Sequence, residues 1–270
     1  MPDDIESALI KSRCLEGAPQ SGNQAMFLAI ILIHAKNNLS IPTQPEIDNW
    51  VRLHLQSMNQ FGFWGESKSM SHLQFQNGYH QYEILDYLDF QGIQWDTASK
   101  TIAALADNEG HFAPYLGGGG CYDYDAIFIM TSDLKISRMY ANLLELTASS
   151  ILSEQNIDGG FCESLRIRPR SIDNFIGTLR HILNSRGQAR IERLRFGITL
   201  LRPKNNQLHT HWSRYSRGWE ESNLWDSWFR MLTIARIDIA SNPSKISEWG
   251  FINFPGIGFH SLVRNNKLNT

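Results

Sequence analysis

Five short loops that set a glycine or a polar residue beside an aromatic ring recur along this chain, three of them at a nearly fixed interval. They are Phe61-Gly62-Phe63-Trp64-Gly65, Glu109-Gly110-His111-Phe112, Asp158-Gly159-Gly160-Phe161, a looser His211-Trp212-Ser213, and Trp249-Gly250-Phe251. With Phe63, Phe112, Phe161, Trp212 and Phe251 as markers, the intervals are 49, 49, 51 and 39 residues. A repeat of this length is one supersecondary unit that cannot bury its apolar face alone, so neighbouring copies must stack.

A second marker follows most of these loops. An Asn or Asp opens an apolar stretch with helical spacing at Asn23, Asn77, Asp123, Asp173 and Asn223. Short polar side chains of this kind accept hydrogen bonds from the first free N–H groups of a helix. Between these stretches lie amphipathic segments, among them Pro45 to Met58, Asp96 to Leu105, Ser137 to Ile151 and Arg190 to Leu201. No β alternation or hairpin pattern stands out. The unit is therefore helix, loop, helix, with the second helix the more apolar and suited to an inner ring. The expected fold is all-α, an α/α toroid of about five to six helix-pair repeats over a single domain, 1–270. An open helical solenoid is the alternative.

Composition narrows the partners. Lys and Arg number 25 against 27 Asp and Glu, and no lysine or arginine run is present, which argues against nucleic acid. The longest apolar run, Ala25 to Ile33, is too short to span a bilayer, so no transmembrane segment is expected. Three cysteines make no disulfide framework, and with no export signal at the N-terminus they point to a cytoplasmic protein. The sequence sets no oligomeric state.

The run Glu154-Gln155-Asn156-Ile157-Asp158-Gly159-Gly160-Phe161 resembles the Q-x-x-D-G-G-F segment of the prenyltransferase and squalene–hopene cyclase repeat superfamily. Gly117 to Gly120, followed by Cys121-Tyr122-Asp123-Tyr124-Asp125-Ala126, resembles the glycine-rich lead-in to an inner helix of that superfamily. The resemblance implies an α/α toroid with its functional groups at the inner-helix N-termini. It does not fix an activity, because glycoside hydrolases and polysaccharide lyases also use α/α toroids. The run Asp123-Tyr124-Asp125-Ala126 stops one carboxylate short of the Asp-x-Asp-Asp acid of alkene-protonating cyclases, and no Asp-Asp-x-x-Asp cluster for a diphosphate occurs.

Stacking the inner helices on their Asn and Asp anchors brings residues of different repeats to one mouth. Asp123, Asp125, His80 and Asp226 are the candidate catalytic groups: like charges against apolar walls raise the pKa of at least one carboxyl, and a carboxyl kept protonated is a general acid. Asn77, Tyr79, Tyr124, Asp173, Asn223 and Trp225 share that rim as candidate substrate contacts. Arg168, in the basic cluster Arg166 to Arg170, and Trp212 join them as contacts for a polar substrate group. Capping, first-turn dipole stabilisation and ordinary packing are the competing roles for these Asn, Asp and His residues. Gly117 to Gly120 reads as a flexible rim that lets a substrate approach the start of the Asp123 helix. No cofactor and no metal is expected. If a metal binds, His80, Cys121 and Asp123 are the ligand types for it, as the zinc site of prenyltransferases in the same superfamily implies.

Three functions compete. The first is a terpene-cyclase-like enzyme that cyclises or isomerises a hydrophobic small molecule by acid initiation, with aromatic faces stabilising a cation. The second is a carbohydrate-active hydrolase, lyase or isomerase, whose saccharide would stack on the same aromatics. The third is a non-catalytic helical scaffold.

Overall fold

A computed structural model describes residues 5–65, 67–162, 172–200, 207–209, 216–218 and 221–250. Among them it holds eleven α-helices. These are α1 (Ile5–Ser12), α2 (Ser21–Leu39), α3 (Gln44–Ser57), α4 (His72–Tyr87), α5 (Trp95–Ala103), α6 (Gly120–Thr131), α7 (Leu134–Met139), α8 (Ala141–Ser153), α9 (Ile172–Leu183), α10 (Gly187–Leu200) and α11 (Leu224–Ser241). The protein is helical as expected. Among the described residues there is also a two-stranded antiparallel ribbon, β1 (Gln207–His209) with β2 (Ser216–Gly218), which pairs Leu208 with Arg217.

The repeat is visible as one turn used three times. Asn59 N–H donates to Phe63 O (2.7 Å), Asp107 N–H to His111 O (2.8 Å) and Asn156 N–H to Gly160 O (2.9 Å). In each turn the fourth residue is a glycine in the left-handed region: Gly62 at φ 79°, Gly110 at 80° and Gly159 at 87°. Only glycine takes that conformation without strain, which is why the glycine recurs. The ring that follows two residues later is Trp64, Phe112 or Phe161, each buried. The structurally equivalent marker in the first copy is therefore Trp64, not Phe63. Trp64 holds its place by donating from Nε1 to His54 O at the end of α3 (2.8 Å).

One row of helices runs α2, α4, α6, α11, each packed on the next. Helix α3 packs on α2, α5 on α6 and α8 on α11. Glycines set the closest approaches within the row. A Cβ on Gly22 of α2 would lie 2.1 Å from Asn77 O of α4, and one on Gly120 of α6 would lie 3.1 Å from Phe229 Cβ of α11. Helix α9, expected as the fourth inner helix, is not in this row. It pairs with α10 instead, and α11 takes the place beside α6. The spacing records the same event: the turn glycines Gly110 and Gly159 are 49 apart, whereas Gly159 and Gly250, also at positive φ (71°), are 91 apart. The α9–α10 hairpin and the ribbon fill the difference.

Candidate functional site

The five anchors do not share one position on their helices. Asn223 is a true N-cap: its side chain accepts from Asp226 N (2.8 Å) and donates back to the Asp226 carboxylate. Asp123 lies in the first turn of α6, behind the N-cap Gly119. Asn23 is the third residue of α2 and is exposed. Asn77 lies in the second turn of α4, where its amide donates to Leu73 O (2.9 Å); the N-cap there is Ser71, which accepts from Gln74 N (3.0 Å). Asp173 is exposed on α9, outside the row of α2, α4, α6 and α11. The rings drawn through these anchors are thus corrected: Asp173 leaves the site, and α4 shifts in register against α6 and α11.

The register that packing sets is different. Gln76 Nε2 donates to Cys121 Sγ (3.7 Å), the Tyr79 and Tyr124 rings meet at 5.9 Å, and Tyr79 meets Phe128 edge-on at 5.2 Å. Tyr124 in turn meets Phe229 of α11 at 5.5 Å. Around this aromatic seam lie Glu83 of α4, Asp125 of α6 and Arg236 of α11.

Arg236 is fully buried. Its Nε donates to Thr131 Oγ1 (3.0 Å), an Nη donates to Phe128 O (3.3 Å), and the guanidinium lies over the Phe128 ring at 4.4 Å. It thus closes the C-terminal turn of α6, where free carbonyls favour a cation. Asp125 is 3% exposed. Burial, then the charges of Glu83 and Asp123, hold its carboxyl well above the usual range. Burial also raises Glu83 to about 7, against a hydrogen bond from Tyr79 and the charge of Arg236. His80 packs on Tyr79, and burial lowers it to about 4, leaving it neutral at pH 7 with Nδ1 buried and unpartnered. A carboxyl raised by burial, a second raised to about 7 and an imidazole with an unpartnered Nδ1 are the group types that acid–base chemistry uses.

Asp123 is fully buried and does a different job. It accepts His111 Nδ1–H at Oδ2 (2.8 Å) and Phe112 N–H at Oδ1 (2.9 Å), fastening the second turn to α6. Burial pulls His111 down, but the charge and hydrogen bond of Asp123, with Asp107 and Glu154, raise it overall. Gly118 closes over this pair: a Cβ there would sit 2.3 Å from Asp123 Oδ2 and 2.5 Å from His111 Nδ1. The glycine run is therefore a tight cover over a buried pair, not an open rim. Nearby, Arg230 forms a buried ion pair with Glu154 (3.1 Å) and donates to Gly117 O (3.2 Å).

Asp226 is buried beside Gly120, and its charge bears on Cys121 together with those of Asp125 and Asp123. The structure thus brings Asp123, Asp125 and Asp226 to one end of α6. Trp225 is 43% exposed and packs edge-on against Phe229 (4.6 Å). Arg168 and Trp212 lie outside the described residues. Among the described residues no three His, Cys, Asp or Glu side chains are grouped to hold a metal. Burial, then the charge of Asp125, raises the Cys121 thiol.

Sequence reasoning missed Glu83, Arg236 and the Glu154–Arg230 pair. A signal existed for the arginines, since Arg230 stands between Phe229 and Met231 and Arg236 between Ala235 and Ile237 in α11. No family model, no curated protein and no solved structure matches this chain.

Proposed function

We propose that the chain is an acid–base enzyme on an arc of an α/α toroid, and that it protonates an unsaturated, hydrophobic small molecule which then cyclises or isomerises. The observation that carries this reading is Asp125: a buried carboxyl held well above its usual range, beside a second raised carboxyl and an aromatic seam. The resemblance of the third loop to the cyclase repeats supports the same direction.

In this reading the Asp125 O–H gives its proton to an alkene carbon, and the π electrons form the new C–H bond. The adjacent carbon becomes cationic. Each ring of Tyr79, Tyr124 or Phe229 that faces it contributes about 0.5–2 kcal/mol. The product forms when a neighbouring carbon loses a proton to His80 Nδ1, which is neutral and unpartnered. Glu83, at about 7, returns a proton to Asp125, and the proton held by His80 passes back to Glu83 through solvent, which restores all three groups for the next turnover.

The test is turnover in deuterated water with a panel of prenyl alcohols and open-chain polyenes, read by mass spectrometry. The reading expects one deuterium in the product and none with Asp125→Asn at an unchanged melting temperature. Labelling at the wild-type rate by Asp125→Asn removes Asp125 as the acid.

A further inference from the structure

Helices α9 and α10 wear their amphipathic faces inside out. The buried residues of the hairpin are His181, Ser185, Ala189, Glu192 and Arg193, four of them polar. Glu192 accepts His72 N–H (2.7 Å) at the start of α4, and Arg193 donates to Leu105 O (2.6 Å) just past the end of α5. An anion thus meets a helix N-terminus and a cation meets carbonyls at a helix C-terminus. The apolar stripe faces away from the body. On α9 it is Ile172 (78% exposed), Phe175 (57%), Ile176, Leu179 and Leu183 (63%), spaced at three and four residues. On α10, Ile191, Leu194 and Ile198 continue it. A contiguous exposed apolar face of this kind marks a contact surface.

Charge identifies the occupant. Residues 163–204 carry 10 of the chain's 25 Lys and Arg but only 3 of its 27 Asp and Glu. The segment is therefore strongly cationic in a chain whose remainder is acidic. Arg180 of α9, Arg186 of the connecting turn, and Arg190 and Arg195 of α10 are exposed on the same hairpin as the apolar stripe. An exposed apolar stripe edged by arginines is the pattern of a helix that lies in a bilayer interface, its arginines reaching lipid phosphates. A two-fold contact with a second copy through this face would set like-charged arginines against one another. Nucleic acid would leave the apolar stripe in water.

We propose that the α9–α10 hairpin seats the protein on an anionic lipid bilayer, with Phe175, Leu179 and Leu183 in the interface and the arginines at the phosphate level. No described helix is long and apolar enough to cross a membrane, so the contact is one-sided. This inference is independent of the acid chemistry, since it uses none of the same residues.

The experiment is co-sedimentation of the full chain with vesicles of phosphatidylcholine alone and of phosphatidylcholine mixed with phosphatidylglycerol. Binding is expected on the mixed vesicles, weakened by salt. It should fall by about tenfold or more in Phe175→Ser/Leu179→Ser and in Arg180→Gln/Arg186→Gln. Phe27→Ser/Ile31→Ser, which removes exposed apolar side chains of α2, should leave binding unchanged. Should the Phe175/Leu179 pair alter the melting curve, the arginine pair decides. Wild-type binding by that arginine pair overturns the proposal. So does a wild-type dimer that becomes monomeric in Phe175→Ser/Leu179→Ser without any vesicle binding, which assigns the face to a second copy.

Discussion

Replacing Glu83 with Gln should make the protein more stable at neutral and mildly alkaline pH, and not in acid. The folded state holds the Glu83 proton up to about 7, whereas the ordinary value is 4.5. Across that window the folded state binds more protons than the unfolded one, so stability falls as pH rises and levels off above it. A displacement of this size corresponds to about 3 kcal/mol lost by the wild type once both states are ionised. Gln keeps the shape and the acceptor for Tyr79 but has no proton to lose. It also removes a like charge from Asp125. The variant should match the wild type below the ordinary carboxyl range and exceed it by up to about 3 kcal/mol in mildly alkaline buffer. For a chain of this size that is roughly 6–12 °C in melting temperature. Urea denaturation of both proteins at several pH values measures the gap. Parallel curves, with a constant gap across the whole range, would refute the burial argument for Glu83.

Asp123→Ala removes the counter-charge of buried His111 and the acceptor for Phe112 N–H, and should cost about 3–5 kcal/mol in a denaturation curve. Gly118→Ala combines φ 67° with a Cβ against Asp123 and should cost at least about 1–2 kcal/mol by the same assay. Glu192→Gln weakens the cap on α4 by about 0.5–2 kcal/mol. Hydrogen exchange should then quicken in residues 172–200 and at His72 and Leu73 while α6 and α11 stay protected; uniform quickening would mean that the hairpin is not a separable element.

Helix and loop alternation was legible because each copy carries its own local instructions: an Asn or Asp that accepts the turn's N–H groups, a glycine where φ must be positive, and a ring that fills the gap behind. Trp64 was misaligned with Phe63 because both neighbours are aromatic, and only the turn's hydrogen bonds separate them. The α4 N-cap could have been found from Ser71-His72-Leu73-Gln74, a serine with a glutamine three residues on. Helix α9 was read as inner because Ile172, Phe175, Ile176 and Leu179 have the period of a buried stripe. Periodicity reports that a helix has an apolar face, not what covers it. Glu83 was invisible for the complementary reason. A carboxylate on a helix reads as solvent-facing until a neighbouring helix closes over it, and here α6, which begins 37 residues farther along the chain, does so.

Infrared difference spectroscopy on the unliganded protein, wild type minus Asp125→Asn, reads the protonation of this one carboxyl at neutral pH. The account predicts a protonated C=O stretch that is present in the wild type and absent in the variant. Finding instead the paired stretches of an ionised carboxylate at that position would contradict it.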